Sequence, residues 1–371
     1  MNMLLNYSTG IFDARTFQNP YPLFAAISYD VNKKTLAFNL ETDSLKPSDI
    51  IISRKNDPYM EKARGFSLSS SSQAEFDILQ RAFTYASRGK ISVPARFFHG
   101  GAEVSFDLSG DRDSLAVKEF SASGENVDIN YSGSCVYRDL SVSGIFNANL
   151  LRLEDGRVFS TEIYFDPGQT GFMAFAPQFM LGEKAFTAVQ LTVIPASDFI
   201  HFNFELSDYG HETAETPGMI KGSGSYSRRE KEIEANITSE QMYLDSIAKA
   251  ASYAVDGDPV PEFSYLKPFL LNGDLFFSFK QSLNSVTCYI PYIFAVNTEK
   301  DGQVLYLSAD GSSELMNISR LDYINNGKLV HSQGYMTFSD NGDLAFSIDV
   351  NSGSVPYSFS GNYMDGAFSV A

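Results

Sequence analysis

Tryptophan is absent from the 371-residue chain, and cysteine and histidine are scarce, with two and four residues. Cys135 and Cys288 form no CxxC motif, and no two histidines have the spacing typical of zinc ligands. GxSxG, P-loop and GxGxxG motifs are also missing. We therefore expect no catalytic residue, no metal site and no cofactor, and we interpret the chain as a non-enzymatic protein.

Positive charge is scarce as well, because 28 Lys and Arg face 45 Asp and Glu, which gives a net charge of −17. Such a chain cannot neutralise phosphates, so nucleic acid is excluded as a partner. No run of 18 apolar residues is present, and we therefore predict no transmembrane helix. The two cysteines lie in apolar alternating stretches that favour buried free thiols, although a disulfide between Cys135 and Cys288 is left open.

Aromatic residues and glycine are abundant, with 31 Phe, 20 Tyr and 27 Gly, and they favour strands and turns. Apolar and polar residues alternate with period 2 in many stretches, for example at 35–41, 103–108, 200–206, 286–296 and 344–350. Strands of this kind bury one side and expose the other, as in antiparallel sheets. We therefore predict a mostly β protein.

Asn-Gly or Asp-Gly followed by one residue and an apolar residue recurs between the alternating stretches. These dipeptides supply the positive φ angles of type I′ hairpin turns. The motif predicts hairpins at 155–156, 272–273, 301–302, 326–327, 341–342 and 365–366.

Two segments interrupt the strand pattern. Capping-box spacing at Ser72 and Glu75, followed by apolar residues at helical intervals, predicts an amphipathic helix over about 72–88. A similar pattern starting at Thr238 and Gln241 predicts a second helix over about 239–255. We expect three segments: 1–110 with the first helix, 111–256 ending in the second, and 257–371 as a regular array of hairpins.

Alternation alone leaves two arrangements open. Two facing sheets would make the apolar side chains the core of a β-sandwich or jelly roll, whereas one long, curled, taco-like open sheet would turn them into a groove. For the open sheet we predict that the groove binds lipid or a client protein and is lined by Phe38, Leu40, Val104, Phe106, Phe202, Phe204, Phe277, Phe279, Tyr292, Phe294, Phe346 and Ile348.

The recurring Asn-Gly and Asp-Gly motif between alternating strands resembles the pattern found in the AsmA-like and TamB-like family of large envelope proteins. The likeness is carried by five segments: 140–149, 153–158, 324–330, 339–344 and 360–369. It is clearest from 264 to 371. The family resemblance implies a long curled β-sheet with an apolar concave face, which carries phospholipid or assists outer-membrane protein assembly between the membranes.

The resemblance further implies a periplasmic or cell-envelope location and an inner-membrane anchor. The chain contains no such anchor, and we interpret it as a fragment. Implied partners are phospholipid acyl chains, client β-strands and an outer-membrane β-barrel protein. The alternative function is a surface or secreted β-sandwich that serves in adhesion or ligand binding.

Overall fold

The computed structural model describes residues 2–8, 11–17, 22–46, 65–95, 100–152, 158–182, 184–208, 217–256, 266–281, 285–338, 344–352, 355–364 and 367–370. Strands make up 80% of them, so the prediction of a mostly β protein is confirmed. The chain divides into two units, Met1–Ala174 and Phe175–Ala371. The three-segment organisation drawn from the sequence stays a prediction.

The first unit is an antiparallel meander in which each strand from β1 to β11 pairs with the next strand in the chain. The boundary between the units falls within β12 (Phe172–Leu181). The strands before it are β1 (Asn2–Ser8), β2 (Ile11–Phe17), β3 (Leu23–Asp30), β4 (Thr35–Leu45), β5 (Ser67–Asp77), β6 (Ala82–Val93), β7 (Ala102–Asp111), β8 (Ser114–Gly124), β9 (Val127–Val136), β10 (Ser141–Arg152) and β11 (Val158–Pro167).

The described residues of the second unit repeat this arrangement and include one helix. Each strand from β13 to β24 pairs with the next, always antiparallel. The elements are β13 (Lys184–Pro195), β14 (Phe199–Asp208), β15 (Gly218–Ser227), β16 (Glu232–Tyr243), α1 (Leu244–Asp256), β17 (Phe269–Lys280), β18 (Ser285–Asn297), β19 (Gln303–Ser312), β20 (Leu315–Asn325), β21 (Lys328–Phe338), β22 (Leu344–Ser352), β23 (Val355–Met364) and β24 (Ala367–Val370).

Both units are open sheets of a single layer. Among the described residues, the first and last strands of a unit do not pair, and the strands make their main contacts with their hydrogen-bonded neighbours. Only 14 hydrophobic side chains in the described ranges are buried, and seven of those are alanine. Facing sheets would bury many large side chains. Of the two arrangements that the sequence left open, the structure has the open sheet and not the sandwich.

The helix predicted over 72–88 is wrong. This segment forms the end of β5, a four-residue turn at 78–81 and the start of β6. Oδ1 of Asp77 accepts hydrogen bonds from the N–H groups of Leu79 and Gln80, at 2.9 Å each, and Arg81 has φ of 54°. Phe76 and Phe83 are therefore cross-strand partners beside a turn, and their separation only resembles helical spacing.

The second predicted helix is confirmed from Leu244 onwards and wrong before it. Residues 239–243 belong to β16, and the expected cap does not form, because the hydroxyl of Thr238 donates to Oδ1 of Asp274 on β17 at 2.7 Å. The hydrogen bonds to the neighbouring strand extend β16 into the expected first turn of the helix.

Two of the predicted Asn-Gly and Asp-Gly hairpins are confirmed, at 301–302 and 326–327. Asn326 and Gly327 both have positive φ, as a type I′ turn requires. The hairpin at 272–273 is wrong, because Gly273 lies inside β17, where a Cβ would come within 2.4 Å of the Tyr292 carbonyl oxygen. The motifs at 155–156, 341–342 and 365–366 lie outside the described residues.

Candidate functional site

The strand register brings the four predicted groove residues of the first unit onto one side of its sheet. Paired residues of adjacent strands point to the same side, and so do alternate residues of one strand. Phe38 is linked in this way to Ala74, Tyr85 and Gly110, which shares its side with Phe106. Leu40 and Val104 follow by alternation. This side is called the apolar face of the first unit.

Six of the eight predicted groove residues of the second unit also share one side. Phe202 is linked through Gly224 and Ala235 to Phe277, which pairs with Cys288. The same rule continues across the following strands to β22. The predicted residues on this apolar face of the second unit are Phe202, Phe204, Phe277, Phe279, Phe346 and Ile348.

Tyr292 and Phe294 lie on the opposite side, so their assignment to the groove is wrong. The register of β18 shifts between Ile290 and Ile293 against β19, and it shifts at the matching point against β17. Pro291 lies within this bulge. Proline has no N–H to donate, so inside sheets it is found at edges and bulges. The extra residue exchanges the two sides of β18, and the continuous apolar face expected over 286–296 does not exist.

Aromatic rings cover small residues on the apolar face of the second unit. A Cβ at Gly222 would lie 2.1 Å from Cε1 of Phe204, and a Cβ at Gly224 would lie 2.6 Å from Cζ of Phe202. Both glycines are the cross-strand partners of these rings. The rings therefore lie flat over β15, and the face presents ring surface in place of exposed backbone.

The apolar faces are partly accessible. Phe38 and Leu40 are 39% and 41% exposed, Phe359 is 43% exposed, and most other large side chains on these faces are half-buried. Both cysteines, Cys135 and Cys288, are free thiols on an apolar face and are half-buried. Burial raises the pKa of the Cys288 thiol.

Helix α1 packs over one corner of the second unit, against β13, β16 and β17. Nζ of Lys184 donates to Oδ1 of Asp208 at 2.5 Å and to Oγ of Ser246 at 2.8 Å. It also lies 5.6 Å from the centre of the Phe186 ring. Asp208 and Ser246 are buried, as is Asp245 in the first turn of the helix. One lysine thus connects the sheet to the start of the helix.

The opposite sides of both sheets are mainly polar, and each is called a polar face, although Phe276, Tyr289 and Tyr292 lie on that of the second unit. In each unit, the larger open depressions of the described residues are lined by side chains of this polar face alternating with the strand backbone. One of them, of about 690 Å³, crosses β14 to β18 and includes Asn236, Phe276 and Tyr289. The sequence prediction missed these residues. The pair Phe276 and Phe277 could have identified an aromatic residue on this face from the sequence, because consecutive residues in a strand point to opposite faces.

A charged cluster occupies the polar face farther along the second unit. Nε of Arg320 and Nδ1 of His331 each lie 2.5 Å from a carboxylate oxygen of Asp322, which is 1% exposed. The guanidinium group of Arg320 lies 5.3 Å from the centre of the Tyr306 ring. Burial raises the pKa of Asp322, but the hydrogen bonds and charges of His331 and Arg320 outweigh it, and the pKa lies below its ordinary value.

Among the residues that the structure describes, no group of three or more His, Cys, Asp or Glu side chains is arranged to hold a metal ion. No helix in the described part of the chain has the length and apolar character needed to span a bilayer. Comparison of the chain with family models, with curated proteins and with solved structures finds no match.

Proposed function

We propose that the chain is a non-catalytic envelope protein whose apolar sheet faces bind the acyl chains of phospholipids during transport between membranes. The observation that supports this proposal is the single-layer sheet, in which large apolar side chains stay half-exposed on one face without an opposing layer among the described residues. The resemblance to AsmA-like and TamB-like proteins favours the same function. It also favours a location in the periplasm.

Acyl chains suit the chemistry of this face. From β13 to β23 the strands, spaced by about 4.8 Å, form an apolar strip roughly 50 Å long. The strip carries aliphatic and aromatic side chains with glycines beneath the rings, and hydrogen-bonding groups are few along it. Burial of about eight methylenes of one acyl chain contributes roughly 6 kcal/mol of favourable binding free energy, from which the entropic cost of association must be subtracted.

Adjacent residues of β17 provide a matched test. A photo-crosslinking phenylalanine analogue at Phe277 lies on the apolar face, and the same analogue at Phe276 lies on the polar face. With radiolabelled phospholipid in mixed micelles, we expect crosslinked lipid at position 277 and little at 276. Equal labelling at both positions, or none at 277, would contradict the proposal.

A double substitution tests the same face by loss of binding. We expect Phe277→Asp with Phe346→Asp to abolish co-purifying phospholipid, measured by organic extraction and mass spectrometry, while circular dichroism shows the β content retained. If the variant unfolds, the two rings belong to a core and the groove is wrong for that region. Phe276→Asp is the control and should keep its lipid.

A further inference from the structure

We propose that the polar face of the second unit carries a separate binding site for a neutral oligosaccharide. The site is the depression of about 690 Å³ across β14 to β18, within the range of roughly 300–1,000 Å³ common for ligand sites. It lies on the side of the sheet opposite to the apolar face, so it is independent of the lipid proposal.

The strand register builds the site from two rows of side chains that run across five strands. The rows are roughly 7 Å apart, and each spans roughly 19 Å. The first row is His201, Ser225, Glu234, Ser278 and Thr287, and the second is Asn203, Ser223, Asn236, Phe276 and Tyr289. In the second row, the short side chains of Ser223 and Asn236 lie beside the larger rings of Phe276 and Tyr289.

Several polar side chains in the rows are available to a ligand. Asn203, Ser223, Glu234 and Thr287 are exposed, and no side-chain hydrogen bond engages them within the described part of the chain. The side-chain oxygen of Asn236 in the floor is buried without a hydrogen-bond partner among the described residues. A buried amide oxygen without a hydrogen bond is energetically costly. Rotation of the Asn236 side chain would allow this oxygen to accept a hydrogen bond from a ligand hydroxyl group.

Aromatic rings flank these polar groups. Phe276 and Tyr289 are cross-strand partners with ring centres 6.2 Å apart, and they are 42% and 54% exposed. At the other end of the first row, the His201 ring stacks on Phe199 with centres 6.1 Å apart. Exposed rings beside unpaired amides and hydroxyls match a sugar, whose ring has an apolar side and a hydroxylated edge.

The charge of the lining selects a neutral ligand. Among the described residues that line the depression there is no lysine or arginine, and Glu234 supplies the only carboxylate. A phosphate or sulfate group would meet no lysine or arginine among the described residues of the lining and would be repelled by the net charge of −17. One depression on the polar face of the first unit differs, because it contains Arg88 and Lys90.

Saturation-transfer NMR with three neutral tetrasaccharides (maltotetraose, cellotetraose and chitotetraose) and one sulfated heparin tetrasaccharide tests the proposal. We expect transfer to at least one neutral sugar and a weaker signal from the heparin fragment. Phe276→Ala with Tyr289→Ala should weaken binding at least tenfold, because the stacking surface is removed.

Tyr335→Ala is the matched control, since Tyr335 is a 48% exposed aromatic residue on the polar face outside the depression. It should bind sugar as the unmodified protein does. Circular dichroism and an unchanged midpoint of urea unfolding verify that the double variant is folded. The proposal would be overturned if none of the three neutral sugars gave a saturation-transfer signal at millimolar concentration. It would also be overturned if the folded double variant bound sugar unchanged, or if the protein preferred the sulfated fragment.

Discussion

Replacement of Lys184 by methionine is expected to release helix α1 from the sheet. Methionine keeps most of the apolar stem but removes the charge that binds Asp208 and Ser246. Asp208 is 1% exposed, so its carboxylate would lose its lysine partner in a site with little access for water. Removing one partner of a buried ion pair costs about 3–5 kcal/mol.

The lower end of this range applies because the side chain of Lys184 is itself 16% exposed, so the pair is not fully buried. A loss of about 3 kcal/mol raises local opening roughly 150-fold at 25 °C. We expect hydrogen exchange of the backbone amides at 244–250 to accelerate by about this factor, while amides of β20 and β21 keep their rates. The midpoint of urea unfolding should also fall.

A second substitution separates charge from packing. In Lys184→Met with Asp208→Asn, the buried carboxylate that paired with Lys184 is replaced by a neutral amide, so the double variant should regain more than half of the lost stability. The double-mutant cycle then gives a coupling energy of about 1.5 kcal/mol or more. Unchanged exchange in the single variant, or strictly additive losses in the double variant, would refute the assignment of Lys184 as the link between sheet and helix.

Two further predictions concern titratable groups of the second unit. Asp322 has a lowered pKa in the folded protein, so its contribution to stability is present above the unfolded pKa of about 3.9 and is lost as the pH falls through the folded value. The urea midpoint should therefore fall more steeply between pH 5 and 3 than in Asp322→Asn, and parallel curves would contradict this. Cys288 has a raised pKa, so in Cys135→Ser its alkylation by iodoacetamide at pH 8 should be slower than that of free cysteine. Phospholipid micelles should slow the alkylation further, and unaffected alkylation would argue against lipid on this face.

The strands themselves could be predicted from alternation, because a residue's side of a strand depends only on its position. Phe202 and Phe204 lie on one face as expected, and the same holds for Phe346 and Ile348. The rule failed in β18, where the bulge at Pro291 placed Tyr292 on the other face. Proline inside an alternating stretch signals such a bulge, although the register on both neighbours is needed to place it.

Turn chemistry explains the other main error. Asp30 and Asp77 each accept hydrogen bonds from the N–H groups two and three residues later, and the residue four positions on, Lys34 or Arg81, has positive φ. This Asx turn closes a hairpin without an Asn-Gly pair. At 72–88 the apolar residues around such a turn imitated a helical pattern, and pairing between strands outweighed local propensity.

The sequence by itself determined the strand content and most of the division into apolar and polar residues on each strand, since both follow from local periodicity. Only the tertiary structure decided whether the apolar residues are covered. Alternation is identical in a sandwich and in a single layer, and the difference depends on contacts between residues far apart in the chain. The meeting of Asn236, Phe276 and Tyr289 on the polar face depends on register across several strands for the same reason.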